Sequence, residues 1–143
     1  MFRQLNDHVF VSPQIGLPEV AEAAAQGIGM IINNRPEDES DDQISGPEIE
    51  AAARAAGMGY SAIPVTHAGW SEGQVRAMAT ALAEAQGPIL AYCRSGTRST
   101  LLWALAEASI GKSPHALTAA AAQAGYDLGP IRALMDMLSA GGK

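Results

Sequence analysis

The chain has 143 residues, 48% of them apolar, which is enough to build a core of one domain's usual size. Its formal charge of −6 at pH 7 argues against broad nucleic-acid binding, which needs a basic face. One cysteine excludes an intramolecular disulfide framework, no apolar run approaches the roughly 20 residues that span a bilayer, and the opening MFRQLNDHVF lacks a signal-peptide pattern, so the expectation is a cytoplasmic protein with no membrane association.

Strand-like and helix-like segments alternate along the chain. Residues 8–12, HVFVS, form a short β-rich run. Residues 17–27, LPEVAEAAAQG, follow with Pro18 in a first helical turn and Gly27 as the stop. GMIINN, 29–34, reads as a buried strand. RPEDESDDQISG, 35–46, is acidic and polar and reads as a flexible loop. Its last residues carry a capping box, Ser45 with Glu48 around Pro47, that opens a helix over 47–56.

YSAIPV, 60–65, is the next strand, and THAGW is a loop. A second capping box, Ser71 with Gln74, starts a helix over 72–85 whose core face carries Val75, Met78, Ala79 and Leu82. GPILAYC, 87–93, is the most strand-like run of the chain. STLLWALAEAS, 99–109, is apolar nearly all round and reads as a buried helix. Ser113-Pro114 caps a helix over 114–124, and Ile131, Leu134, Met135 and Leu138 stripe a last one. No repeat and no linker interrupts this order, so residues 1–143 are read as one domain.

Such alternation implies an α/β fold with a mostly parallel central sheet flanked by helices. Ligands in these folds bind beyond the carboxyl ends of the strands. Cys93 stands at such an end, and AYCRSGTRS, 91–99, surrounds it with two arginines, a glycine and hydroxyls. A turn between a strand and a helix N-terminus gathers backbone N–H groups into an anion nest, and Gly96 permits the backbone angle it needs. A lone cysteine is most often an inert core residue. This setting instead favours a thiolate that serves as a nucleophile beside an anionic substrate.

CRSGTR resembles the active-site loop of rhodanese sulfurtransferases. It also resembles the phosphate loop of the cysteine-dependent protein tyrosine and dual-specificity phosphatases. That loop has five residues between cysteine and arginine and a hydroxyl residue next. Here four residues separate Cys93 from Arg98, and Ser99 follows. INNRP, IPVTHAG followed by Trp70, and YCRSGTRS together make the chain similar to a bacterial family described as phosphatase-like. Its members stand alone or are fused to a metallo-β-lactamase-fold enzyme, as in the β-lactamase hydrolase-like proteins of sulfide detoxification. The resemblance implies a dual-specificity-phosphatase-like fold, and sulfur transfer alongside a persulfide dioxygenase as activity.

Two departures turn the expectation toward sulfur. Phosphatases of this kind place histidine before the cysteine, where this chain has Tyr92. They also take a proton from an aspartate on an upstream loop, where THAGWSEG offers only His67 and Glu72. An alkoxide leaving group needs that acid, worth about 10²–10⁴ in rate; a departing sulfite or thiolate does not. The sequence thus predicts a sulfurtransferase. Cys93 takes sulfane sulfur from thiosulfate or a small persulfide, passes it to a thiol acceptor, and uses no cofactor and no metal. The alternatives are a cysteine phosphatase and a non-catalytic anion-binding partner of a persulfide dioxygenase.

The expected catalytic residues are Cys93 and Arg98. The expected substrate contacts are Arg94, Ser95, Gly96, Thr97, Ser99, His67 and Arg35. For Arg35 the competing expectation is an ion pair with the acidic loop, whose Asp38, Glu39, Asp41 and Asp42 read most simply as solvated. Trp103 and Trp70 read as packing residues, with Trp70 also a candidate wall of the site. His8 and His115 have no partners at metal-ligand spacing.

Overall fold

The computed structural model describes residues 2–66 and 68–141. Five strands form one sheet in the order β1-β2-β5-β3-β4: β1 (Arg3–Gln4), β2 (Val9–Ser12), β3 (Met30–Asn33), β4 (Gly59–Ala62) and β5 (Ile89–Tyr92). All neighbours are parallel except β1, which runs antiparallel to β2. Among the described residues six α-helices complete the fold, with one 3-10 turn at Gly129–Ile131: α1 (Leu17–Ala25), α2 (Gly46–Ala55), α3 (Glu72–Glu84), α4 (Thr97–Ser109), α5 (Pro114–Gln123) and α6 (Arg132–Gly141). The mostly parallel α/β architecture expected from the alternation is the one observed. The antiparallel β1 was not expected, because two exposed residues carry no periodic signal. None of the described helices is long and apolar enough to cross a membrane.

Local chemistry sets the helix ends. Ser71 Oγ accepts from the Gln74 amide at 3.1 Å while Gln74 Oε1 accepts from the Ser71 amide at 2.9 Å, so the expected box closes in both directions. Ser113 Oγ caps α5 through the Ala116 amide, and α1 stops before Gly27, which adopts φ +84°.

The strands divide the apolar residues between two faces with period two. Ile32, Ala91, Val9 and Val11 join the core beneath α3, α4, α5 and α6. Ile31, Leu90 and Tyr92 join the core beneath α1 and α2. Helix α4 is buried on almost every side, with Trp103 only 1% exposed, which explains a sequence apolar all round.

The parallel register aligns the carboxyl ends. Ser12, Tyr92 and Asn33 stand opposite one another across β2, β5 and β3, and Asn33 stands opposite Ala62 of β4. Cys93 therefore leaves the central strand between the segments that follow β2 and β3.

Candidate active site

Cys93 is fully buried at the end of β5. Its amide donates to Ser12 O at 3.4 Å, and its Sγ accepts from the Gly96 amide at 3.1 Å. Gly96 has φ +90°, the left-handed conformation that a side chain resists, and it caps α4, which begins at Thr97. The helix thus starts one or two residues earlier than the sequence suggested. The turn is compressed into the αL glycine, and Arg98 falls in the first turn of α4, where the helix amides lack intrahelical acceptors.

A cleft of about 680 Å³ opens above the loop. Arg94, Ser95, Thr97 and Arg98 line it together with Val65, Thr66, Gly69 and Trp70; Glu39 is the one carboxylate among these described lining residues. Trp70 does wall the site. His67, also expected here, lies outside the described residues.

The guanidinium of Arg98 is divided between two tasks. Nη1 donates to Glu39 Oε2 at 2.7 Å and to Val65 O at 2.8 Å, and Nη2 donates to Glu39 Oε1 at 2.8 Å. Glu39 and Val65 leave the Nε–H and the second Nη2 hydrogen unused, and the guanidinium also has the Cys93 sulfur as a side-chain partner. Those two hydrogens form the other edge of the planar fork, a geometry that matches two oxygens of a phosphate. The Glu39 carboxylate, working against burial, and then the Cys93 sulfur raise the Arg98 pKa further, so the group stays charged.

Glu39 corrects the reading of the acidic loop as a solvated, flexible stretch. Its side chain is only 18% exposed, and it also accepts from Arg35 Nε at 2.8 Å. The two arginines, Arg98 foremost, override its desolvation and bring its carboxyl down to about 2. The loop is bonded at further points. Glu37 accepts from the Gly46 amide at the start of α2, and Gln43 bridges the Glu39 amide and Pro36 O.

Arg35 is 4% exposed and does not line the cleft. It bonds Glu39, Gln14 Oε1 at 2.9 Å and Ser40 Oγ at 3.2 Å. The expected substrate contact is thus replaced by the pairing role, because three acceptors surround its guanidinium. Ser99 is also corrected: it is fully buried, its Oγ has no partner among the described residues, and it does not line the cleft. Gly96 is buried and acts through its backbone. Glu72, the acid offered by the upstream loop, is 85% exposed and is paired with Arg76; it lines a neighbouring apolar groove instead. No cluster of metal-ligating side chains occurs among the described residues.

Three residues of this site escaped the sequence reading. Glu39 sat among the five acids of one loop with nothing to single it out. Gln14 follows β2, and its amide donates to Arg94 O at 3.2 Å. Tyr126 comes from beyond α5, and its hydroxyl donates to Ser95 O at 3.1 Å.

The family model for the phosphatase-like domain of beta-lactamase hydrolase-like proteins matches residues 1–110. The chain belongs to that family. A beta-lactamase hydrolase-like protein of Agrobacterium fabrum is 37% identical over 76% of this chain, and the match covers 25% of the relative, so the chain spans about a quarter of the length of the curated relatives it matches. A solved protein of Neisseria meningitidis, described as a candidate phosphatase, is 32% identical over 95% of this chain and 96% of its own, with a TM-score of 0.83. Another solved candidate phosphatase, from Shewanella putrefaciens, is 22% identical over 99% of this chain and 93% of its own, with a TM-score of 0.76, and shows the shared fold.

These matches overturn the expectation of rhodanese-type sulfur transfer. Family and solved relatives alike are phosphatase-like, which favours the cysteine phosphatase that stood as the alternative. The four-residue spacing is no bar to a phosphatase-like loop, because the turn as well as the loop length sets where the arginine stands. An αL glycine and an early helix start still bring a fork-bearing arginine beside the sulfur.

Proposed function

We propose that this domain is a cysteine-dependent phosphatase acting on phosphomonoesters. The observation that carries the reading is the Nε/Nη2 edge of Arg98 that Glu39 and Val65 leave unused, on a guanidinium held charged with the sulfur of Cys93 as its neighbour at the base of an α-helix. In this reaction the Cys93 thiolate attacks phosphorus and the ester P–O bond breaks. The leaving oxygen takes the electron pair and then a proton, and a phosphocysteine remains. Water next attacks the phosphorus, the S–P bond breaks, and inorganic phosphate and the thiolate are regenerated. The Arg98 fork and the Gly96 amide counter the charge that builds on the equatorial oxygens and the sulfur.

The carboxylate at the cleft, Glu39, is held ionised near a pKa of about 2 and cannot donate that proton at neutral pH. Substrates whose leaving group departs as a stable anion suit such a site, so aryl phosphates are preferred to alkyl phosphates. The test is hydrolysis of a series of aryl phosphates of rising phenol pKa, with Cys93→Ser as control. A rate that falls steeply with phenol pKa and vanishes in Cys93→Ser is expected. Absence of hydrolysis for every ester, or wild-type rates in Cys93→Ser, refutes the proposal.

A further inference from the structure

Tyr126 lies beyond the residues matched by the family model, yet its hydroxyl reaches the cysteine loop. The contact falls on one particular peptide. Tyr126 Oη donates to Ser95 O at 3.1 Å, and the Gly96 amide donates to Cys93 Sγ at 3.1 Å. The Ser95 carbonyl and the Gly96 N–H belong to the same peptide unit. That unit is clamped at both ends, with its oxygen on the phenol and its hydrogen on the nucleophile.

The peptide needs such a clamp. Gly96 adopts positive and negative φ with similar ease, so its own backbone does little to prevent rotation of the 95–96 peptide. A rotated peptide would turn the carbonyl oxygen toward the sulfur and replace an attractive dipole by a repulsive one. Donation to the carbonyl also polarises the peptide and strengthens the N–H as a donor.

The clamp is itself anchored. Tyr126 is buried, and its amide donates to Ala121 O at 2.9 Å. The Arg3 guanidinium lies 5.3 Å from the centre of its ring and donates to Ala124 O at 3.1 Å. Burial raises the Tyr126 phenol's pKa; the Arg3 guanidinium opposes this and the Cys93 sulfur adds a lesser upward push, so the hydroxyl keeps its proton. The loop has no room for a side chain here: a Cβ on Gly96 would collide with Tyr126 Oη and meet Ser12 C at 3.4 Å.

We propose that Tyr126 is a positioning residue that holds the Ser95–Gly96 peptide with its N–H on Cys93, which makes the segment after residue 110 a working part of the site. The consequence for turnover rests on the phosphatase reading above; the consequence for the peptide does not. Tyr126→Phe removes one hydroxyl and leaves the ring under Arg3. In this variant the Gly96 amide resonance moves upfield and its hydrogen exchange accelerates by about fivefold to tenfold, as expected for loss of one hydrogen bond's support. The rate constant kcat for an aryl phosphate falls by a similar factor, while KM changes less than about threefold. Arg3→Ala, which loosens the ring from behind, moves both readouts the same way by a smaller factor.

A Gly96 amide unchanged in shift and exchange in Tyr126→Phe overturns the proposal. So does a loss of kcat that Leu128→Ala, a core variant that keeps the Tyr126 hydroxyl, reproduces with the same Gly96 amide response. If wild type hydrolyses no phosphate ester, the functional reading fails, and the amide measurement still decides the role of Tyr126.

Discussion

Replacing Glu39 tests how the site is assembled. Glu39→Ala removes the acceptor of three side-chain hydrogen bonds, two from Arg98 and one from Arg35. Arg35 is 4% exposed and keeps only Gln14 and Ser40, so a buried charge loses its counter-charge. Breaking a fully buried pair costs roughly 3–5 kcal/mol, and the 17–18% exposure of the Arg98–Glu39 pair reduces this to about 2–3 kcal/mol. For a chain of this size that is a fall in Tm on the order of 6–10 °C. Arg98, no longer held at its Nη edge, also presents its other edge less often, and KM for an aryl phosphate rises roughly tenfold.

The assays are thermal unfolding and steady-state kinetics on Glu39→Ala and Glu39→Gln, the latter keeping the shape. The pH dependence gives a sharper check. Folding lowers the Glu39 carboxyl from an ordinary 4.5 to about 2, so between those values the unfolded chain binds more protons than the folded one. The stabilisation is complete above about pH 4.5 and is lost as the pH falls toward 2. The stability gap between wild type and Glu39→Gln therefore narrows over that window. Unchanged Tm and KM in Glu39→Ala, or a gap constant from pH 7 to pH 2.5, refutes the reasoning.

Gly96→Ala places a Cβ on Tyr126 Oη at φ +90° and is expected to cost about 1–3 kcal/mol and most of the turnover; a variant with wild-type stability and rate contradicts the loop geometry. Glu72→Gln is expected to leave turnover within about twofold, because Glu72 is 85% exposed and bound to Arg76 outside the anion cleft; a loss of tenfold or more makes Glu72 the proton donor after all.

The correspondence between sequence and structure is strongest where the determinants are local. The Ser71–Gln74 box, the αL Gly96 and the Cys93 loop all act within six residues, and their side-chain types announce their geometry. It fails where partners are far apart in the chain. Arg98 and Glu39 are 59 residues apart, and Tyr126 and Ser95 are 31 apart. Ser99 shows the converse: its place beside Arg98 suggested a substrate contact, and the helix turned it into the core.

The sequence alone determined the order of β2 to β5 and of the helices among them, the parallel part of the sheet and the position of the cysteine at a strand's carboxyl end, because periodicity and capping are short-range consequences of backbone geometry. Only the tertiary structure decided which of five acids in one polar loop meets the arginines, which edge of Arg98 is left unused by Glu39, and which aromatic residue stands behind the loop. Those assignments depend on strand register and helix packing, which bring together groups that no local pattern relates.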